Sequence, residues 1–477
     1  MRTKIREKHH MSIQSINPAT EEVLETFEAY SQEQIEEALT DASTAFKSWR
    51  KTSFAERGKL FHALANYMRE HKARLARTAS LEMGKPIVEA EAEVEKCALN
   101  CDYYADNAEK FLAPQDMLSN ASKSYASFQP LGVVLALMPW NFPYWQVMRF
   151  AAPGLMAGNT AVLKHASNVS RVALEIEQMF QACGFPHGVF RTVLVPGAET
   201  EALIKDPRIA AVTLTGSEAA GTKVAATSGS VLKKHVLELG GSDAYIVLAD
   251  ADLDAAAKTA VQARYQNTGQ SCIAAKRFFV EEAVADEFTE KFVKYTSQLR
   301  IGDPMDRETK VGPLARKDLR ETLDKQVQDS LAQGAKLAIG GKNVAGNGYF
   351  YEPTILVDVQ PDMTVFKEET FGPVAAVIRV RDAARAIELA NSSIYGLSSN
   401  LWTRDLERAQ ELARDIEAGG VFINGMTASA PGLPFGGVKH SGYGRELSHF
   451  GIQEFVNVQT IWIGPKIEET PTQKPAE

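Results

Sequence analysis

Hydrophobic and polar positions change their spacing repeatedly along this chain, and each change predicts a different element. Between residues 12 and 31, short alternating runs flank the turn signal Asn17-Pro18, which predicts a small antiparallel pair. The spacing is then helical: residues 31–49, 54–82 and 88–112 read as long amphipathic helices rich in Ala, Glu, Lys and Leu. Lys123-Ser-Tyr-Ala-Ser-Phe-Gln-Pro130 alternates with period two, as a strand exposed on one face does, and such a strand invites pairing with another subunit. Leu131-Gly-Val-Val-Leu-Ala-Leu-Met138 is almost continuously apolar, the pattern of a buried parallel strand.

Beyond residue 160 apolar runs and helical stretches alternate. Strands are predicted at 160–163, 190–195, 210–214 and 244–248, with helices at 169–183, 199–205, 219–228 and 253–265. A second alternation follows residue 272, with strands near 278, 351–357, 374–380 and 421–424, and helices at 284–299, 319–333, 383–391 and 406–416. Strands separated by helices form βα units, so two α/β halves joined near Gly240 are expected. The basic opening 1–11 and the Pro-containing tail 466–477 are expected to be flexible.

Composition narrows this picture. A chain of 477 residues with 45% hydrophobic content forms a large core and two or three domains. The net charge of −8 is spread along the chain rather than gathered in blocks, which argues against a nucleic-acid partner. Four cysteines do not make a disulfide framework, and Cys97-x-x-x-Cys101 without matching histidines does not make a metal site, so a reducing cytoplasm is expected. No apolar run reaches membrane-spanning length.

Candidate chemistry centres on Tyr265-Gln-Asn-Thr-Gly-Gln-Ser-Cys272, a polar turn that ends in a thiol ahead of an apolar strand. A cysteine so placed is expected to be an accessible thiolate, whereas one inside an apolar element is inert. Glu238 closes the apolar stretch Val236-Leu-Glu-Leu-Gly-Gly241, where burial raises a carboxyl pKa toward that of a general base. The Gly-Gly that follows permits close backbone approach to a ligand. Asn141 lies in the Pro-rigidified loop Met138-Pro-Trp-Asn-Phe-Pro143, and its amide N–H is a candidate oxyanion donor. Leu214-Thr-Gly-Ser-Glu-Ala-Ala-Gly221 opens a helix as a phosphate cradle does, though a Gly-Ser start is also an ordinary N-cap. Lys164 and Ser167 follow another predicted strand, at the end where open α/β sheets bind ligands. Thiol, acid, amide and two anion-cradling turns suffice for thiolate attack on an aldehyde, hydride transfer to a nicotinamide and hydrolysis of the thioester.

These stretches, with Glu369-Thr-Phe-Gly-Pro373 and Pro434-Phe-Gly-Gly437, resemble the aldehyde dehydrogenase superfamily in order and spacing over roughly residues 16–462. The resemblance implies that family's fold: a Rossmann-like cofactor domain (12–119 and 131–238), an α/β catalytic domain (239–435) and a small oligomerisation arm with the C-terminal segment (120–130 and 436–465). It implies Cys272 as nucleophile, Glu238 as general base, and Asn141 with the Cys272 N–H as oxyanion hole. It places cofactor contacts on Pro139, Trp140, Asn141, Lys164, His165, Ala166, Ser167, Gly216, Ser217, Leu239, Glu369 and Phe371, and no metal. Relatives that pass the acyl group to coenzyme A usually lack the acid at the position of Glu238, so its presence implies hydrolysis. NAD-preferring relatives often carry a glutamate where this chain has Ser167; a hydroxyl there beside Lys164 implies NADP, with NAD the weaker alternative.

Within the superfamily the chain is most similar to the succinate-semialdehyde dehydrogenases, which share Arg149, eight residues after Asn141, and Ser429, five before Pro434. That likeness implies a small aldehyde substrate whose far carboxylate meets Arg149, with Trp145 and Gln266 beside it. Gln266 stands where many of that group have a second arginine, and Trp140, Tyr144, Trp145 and Tyr265 form an aromatic lining, so another short-chain or aliphatic aldehyde is the alternative. A non-catalytic binding protein of the same fold would be expected to have lost Cys272, Glu238 or Asn141. A homodimer or homotetramer is expected through the exposed strand at 123–129 and the late strand at 454–462.

Overall fold

The computed structural model describes residues 12–464, and the termini expected to be flexible, 1–11 and 466–477, lie outside the described residues. Two mixed sheets carry the architecture. The first has six strands in the order Gly442–Tyr443, Lys234–Glu238, Ile209–Thr215, Val133–Met138, Thr160–His165 and Phe190–Thr192. All run parallel except Gly442–Tyr443, which comes from the stretch expected to accompany the arm. Val133–Met138 is buried along its whole length, as its apolar run predicts. The register aligns Met138 with His165, Leu137 with Leu214, and Thr215 with Glu238. The loops that begin at Pro139, Ala166, Gly216 and Leu239 therefore all leave from one sheet edge, the carboxyl ends of the strands.

The second sheet has seven strands, ordered Lys336–Ile339, Thr354–Val357, Val374–Val380, Ala275–Glu281, Asp243–Val247, Ser398–Trp402 and Gly420–Ile423. Cys272 directly precedes Ala275–Glu281, and Glu369 and Phe371 precede Val374–Val380, so these side chains sit at strand amino ends. Ser398–Trp402 was not expected. Its Ser-Ser-Asn start carries no apolar run, yet all five residues are buried, and the polar ones bond within the sheet, as Asn400 Nδ2 does to the Ala244 carbonyl at 3.3 Å. Sequence spacing sees apolarity, not paired polarity.

The helical stretch expected at 54–82 is two helices, Phe54–Glu70 and Lys72–Met83, broken at His71 with φ −103° and ψ 14°. No glycine or proline signals the break, which turns Leu75, Ala76 and Ala79 into the core. Lys123–Pro130 pairs antiparallel with Val456–Ile463 through eight aligned residues and with Gln115–Asp116 on its other side. Val458, Trp462 and Ile463 are exposed on the outer strand of that small sheet.

Candidate active site

The helix Leu253–Tyr265 ends in a turn whose backbone is left-handed at three successive residues, Asn267 (φ 53°), Thr268 (φ 56°) and Gly269 (φ 72°). Two of these carry side chains that such a conformation disfavours, so surrounding bonds must hold them. Asn267 donates from Nδ2 to the Asn141 carbonyl at 2.8 Å and to the Gln270 carbonyl at 3.1 Å, and Thr268 Oγ1 accepts from the Gly312 N–H at 3.0 Å. A Cβ on Gly269 would come within 2.4 Å of the Gly372 carbonyl, so only glycine fits. Below the turn lie two buried cations. Arg264 donates to the carbonyls of Gly269 (2.6 Å), Gly372 (2.7 Å) and Ala275 (3.1 Å), and Lys276 Nζ to those of Ser271 and Cys272 (2.9 Å each) and Ala274 (3.2 Å). Sequence reasoning missed Lys276, although a Lys-Arg pair inside the apolar run from Ala274 to Val280 was a signal, because a charge in a buried strand must have partners.

Asn141 reaches this turn from the first sheet, with Nδ2 donating to the Gln270 carbonyl at 3.1 Å. The amide keeps its second N–H, and the Cys272 N–H donates to no group among the described residues, so two donors remain for an oxyanion. The loop is fixed from behind: Glu93 accepts from the N–H groups of Tyr144 and Trp145 at 2.9 Å each while paired with the buried Lys85.

Cys272 joins two cavities. One, of about 340 Å³, is lined by Pro139, Trp140, Asn141, Gly216, Ser217, Leu239, Glu369 and Phe371, and it abuts a further cavity of about 640 Å³ that adds Lys164 and Ala166. The other, of about 420 Å³, is lined by Lys96, Phe142, Trp145, Gln146, Arg149, Gln262, Gln266 and Ser429. Sequence-predicted cofactor and substrate residues thus separate onto opposite sides of one sulfur. The exceptions are informative. His165 lines none of these cavities: its ring is buried against the Pro143 carbonyl (2.9 Å from Nε2), and burial pulls it down to about 4, so the neutral imidazole braces the loop rather than a cofactor. Ser167 is exposed where a short helical turn starts, outside the cavity linings. Gly240 lines the cavity of about 340 Å³, and the Gly240-Gly241 pair also admits neighbouring protein groups: Cβ atoms there would meet Glu369 Oε2 at 2.6 Å and the Cys272 carbonyl at 2.7 Å.

The electrostatics correct the expected thiolate. Burial pushes the Cys272 thiol up to about 12, against the opposing pull of Arg149 and Lys276, so the resting group is a neutral thiol. Glu238 is buried with both carboxyl oxygens unpartnered among the described residues, and burial first, then Glu446, holds it well above the usual carboxylate range. Arg149 is not on a helix surface: it is buried, ion-paired with Glu446, stacked 4.5 Å from the Phe435 ring centre and bonded to Thr215 Oγ1 at 3.3 Å. It therefore has a carboxylate partner from the C-terminal part of the chain that sequence spacing did not reveal.

The residues fit a phosphorylated dinucleotide. Lys164 is partly buried in the wall of the largest of these cavities and pairs with no carboxylate among the described residues, leaving its charge for an anion. Ser217 caps the helix Glu218–Ser230 by accepting from the Ala220 N–H at 3.3 Å, which leaves that helix start facing the same region. Glu369 accepts from the Gly241 N–H at 3.0 Å and lies 3.5 Å from Lys276, and Phe371 packs edge-on against Trp140.

The chain is similar to known proteins over almost its whole length. The sequence model of the aldehyde dehydrogenase family matches residues 5–461. The chain is 51% identical over 456 residues to the NADP-dependent succinate-semialdehyde dehydrogenase 1 of Mycobacterium tuberculosis, covering 95% of this chain and all of that one. Among solved structures, the succinic semialdehyde dehydrogenase of Streptococcus pyogenes in complex with NADP superposes with a TM-score of 0.93 at 40% identity, covering 95% of this chain and 100% of that one. The succinate-semialdehyde dehydrogenase of Burkholderia pseudomallei gives 0.93 at 34% identity over 95% of each chain.

Proposed function

The chain belongs to the aldehyde dehydrogenase family, and from that membership we propose that it oxidises succinate semialdehyde to succinate with NADP. The observation that carries this reading is the position of Cys272 at the junction between a cavity fit for the cofactor and a second cavity walled by cations and aromatic rings.

Residues on each side have distinct tasks. Asn141 Nδ2 and the Cys272 N–H hold the aldehyde oxygen and stabilise the charge it gains when Sγ bonds to the carbonyl carbon. The thiol proton passes to solvent water in the substrate-side cavity as that bond forms, and Arg149 and Lys276 offset the negative charge near the sulfur. NADP bound on the other side supplies the hydride acceptor. Glu238, once it has lost its own proton, draws a proton from the water that attacks the thioester carbon, and Cys272 leaves. Lys164 and the helix start at Ser217 suit the phosphates, and Ser167, exposed next to Ala166 of the cavity wall, makes no side-chain hydrogen bond among the described residues, which leaves its hydroxyl for a 2′-phosphate.

Cofactor and substrate are tested together. NADP is expected to give the higher kcat/KM, and Ser167→Glu to lower that value roughly 30-fold by repelling the 2′-phosphate, with much less effect on NAD. Succinate semialdehyde is expected to exceed butanal in kcat/KM. A preference for NAD, or for butanal, would end the corresponding part of the reading.

We also propose a homo-oligomer in the cytoplasm. The unpaired outer face of Val456–Ile463, with Val458, Trp462 and Ile463 exposed, supports self-association, and four free cysteines fit a reducing compartment. Light scattering is expected to return a multiple of the 52.2 kDa chain mass, and cell fractionation to recover the protein with soluble cytoplasmic enzymes. A monomer at micromolar concentration, or recovery outside the cytoplasm, would contradict these.

A further inference from the structure

The substrate-side cavity has two cationic side chains in its wall, Arg149 and Lys96, and no acidic one. They are not equivalent. Arg149 already has a carboxylate partner in Glu446. Lys96, from the middle of the helix Ile87–Phe111, has no carboxylate partner among the described residues. Its ammonium donates to Ser429 Oγ at 2.6 Å and lies 4.2 Å from the centre of the Trp145 ring. A largely desolvated cation with one neutral hydroxyl and one aromatic face for company is poorly compensated, and an anion in the cavity would complete it.

We propose that Lys96, with the Ser429 hydroxyl it holds, is a further anchor for the far carboxylate of the substrate beside Arg149, whose charge also faces the nucleophile. The inference rests on the semialdehyde reading above and deepens it. Ser429 accepts from the ammonium through its oxygen and keeps its own proton, so the pair offers one N–H and one O–H to the two carboxylate oxygens. Trp145 screens the contact from water on one side, which strengthens it. Arg149 lies where its charge favours the Cys272 thiolate. Gln266 and Gln262 line the same cavity as amides and add no charge.

The surroundings give this assignment a pH signature. Burial and the neighbouring Arg149 and Lys85 bring the Lys96 ammonium down to about 8, against the opposing influence of Glu93 and Cys97. The amine is protonated below that value and neutral above it, so the carboxylate loses this counter-charge as pH rises.

The test compares succinate semialdehyde with butanal, which has a methyl group in place of the carboxylate, at saturating NADP. Lys96→Met is expected to raise KM for the semialdehyde roughly 30-fold and that for butanal about threefold at most, the worth of a hydrogen bond to a charged group. Lys96→Arg is expected to recover most of the loss. In the unmodified enzyme KM for the semialdehyde, but not for butanal, is expected to climb above pH about 8, a readout that needs no variant. Equal effects of Lys96→Met on both aldehydes, or parallel pH profiles for them, would overturn the assignment while leaving the semialdehyde reading intact. An unmodified enzyme that does not prefer the semialdehyde to butanal would overturn both.

Discussion

Replacing Cys272 by alanine is expected to lower kcat for aldehyde oxidation by roughly 10⁵-fold or more, the scale of removing a covalent nucleophile. No other thiol can substitute: Cys97 and Cys101 are buried in the helix Ile87–Phe111, and Cys183 lies at the end of the helix Ser170–Ala182. The fold should survive, because the side chain lines cavities rather than filling a packed core. A second measurement reads its protonation. With the thiol pushed up to about 12, the thiolate fraction grows about tenfold per pH unit across neutral and mildly alkaline pH, and inactivation by iodoacetamide should rise in step without a plateau below pH about 10. Inactivation that follows modification of a different cysteine, or a plateau near neutrality, would refute this account of the sulfur.

Glu238→Gln is expected to reduce steady-state turnover roughly 10³-fold while leaving the first turnover largely intact, the range for loss of a general base. The variant should release about one NADPH per active site in a burst and then stall, because the acyl group stays on Cys272 until water is activated. Since Glu238 is held well above the usual carboxylate range, its proton must leave before it can act, and turnover in the unmodified enzyme should rise with pH. The variant should lose that rise. Stability moves the other way. A carboxyl whose folded pKa exceeds its unfolded value contributes stability that is complete below the unfolded value and lost as pH climbs through the folded one. Above the ordinary carboxylate range the glutamine variant should therefore be at least as stable as the parent by thermal unfolding. Both carboxyl oxygens lack partners among the described residues, so the amide breaks no bond seen there. A variant that lost the burst along with turnover would remove Glu238 from the hydrolytic step.

Much of the fold is legible along the chain because its signals are local. The helices Leu253–Tyr265 and Ala383–Asn391 and the strand Val374–Val380 end where apolar spacing and turn residues say they should. Ser398–Trp402 is illegible for the opposite reason: its polar residues are satisfied by strands far away in sequence. The two helices joined at His71 read as one because the hydrophobic stripe continues across the break.

The same division runs through the site. The sequence by itself determined which groups exist and in what local setting: a thiol at the end of a polar turn, an acid at a strand end, an amide in a proline-bounded loop, a lysine and a hydroxyl after a strand. Only the tertiary structure decided their surroundings and hence the direction in which their charge is pushed. Arg149 meets Glu446 across 297 residues and Lys96 meets Ser429 across 333, and neither spacing carries a local pattern. Burial leaves Cys272 a neutral thiol and pushes Glu238 above the usual carboxylate range, and burial is a property of everything packed around a group rather than of its neighbours in the chain.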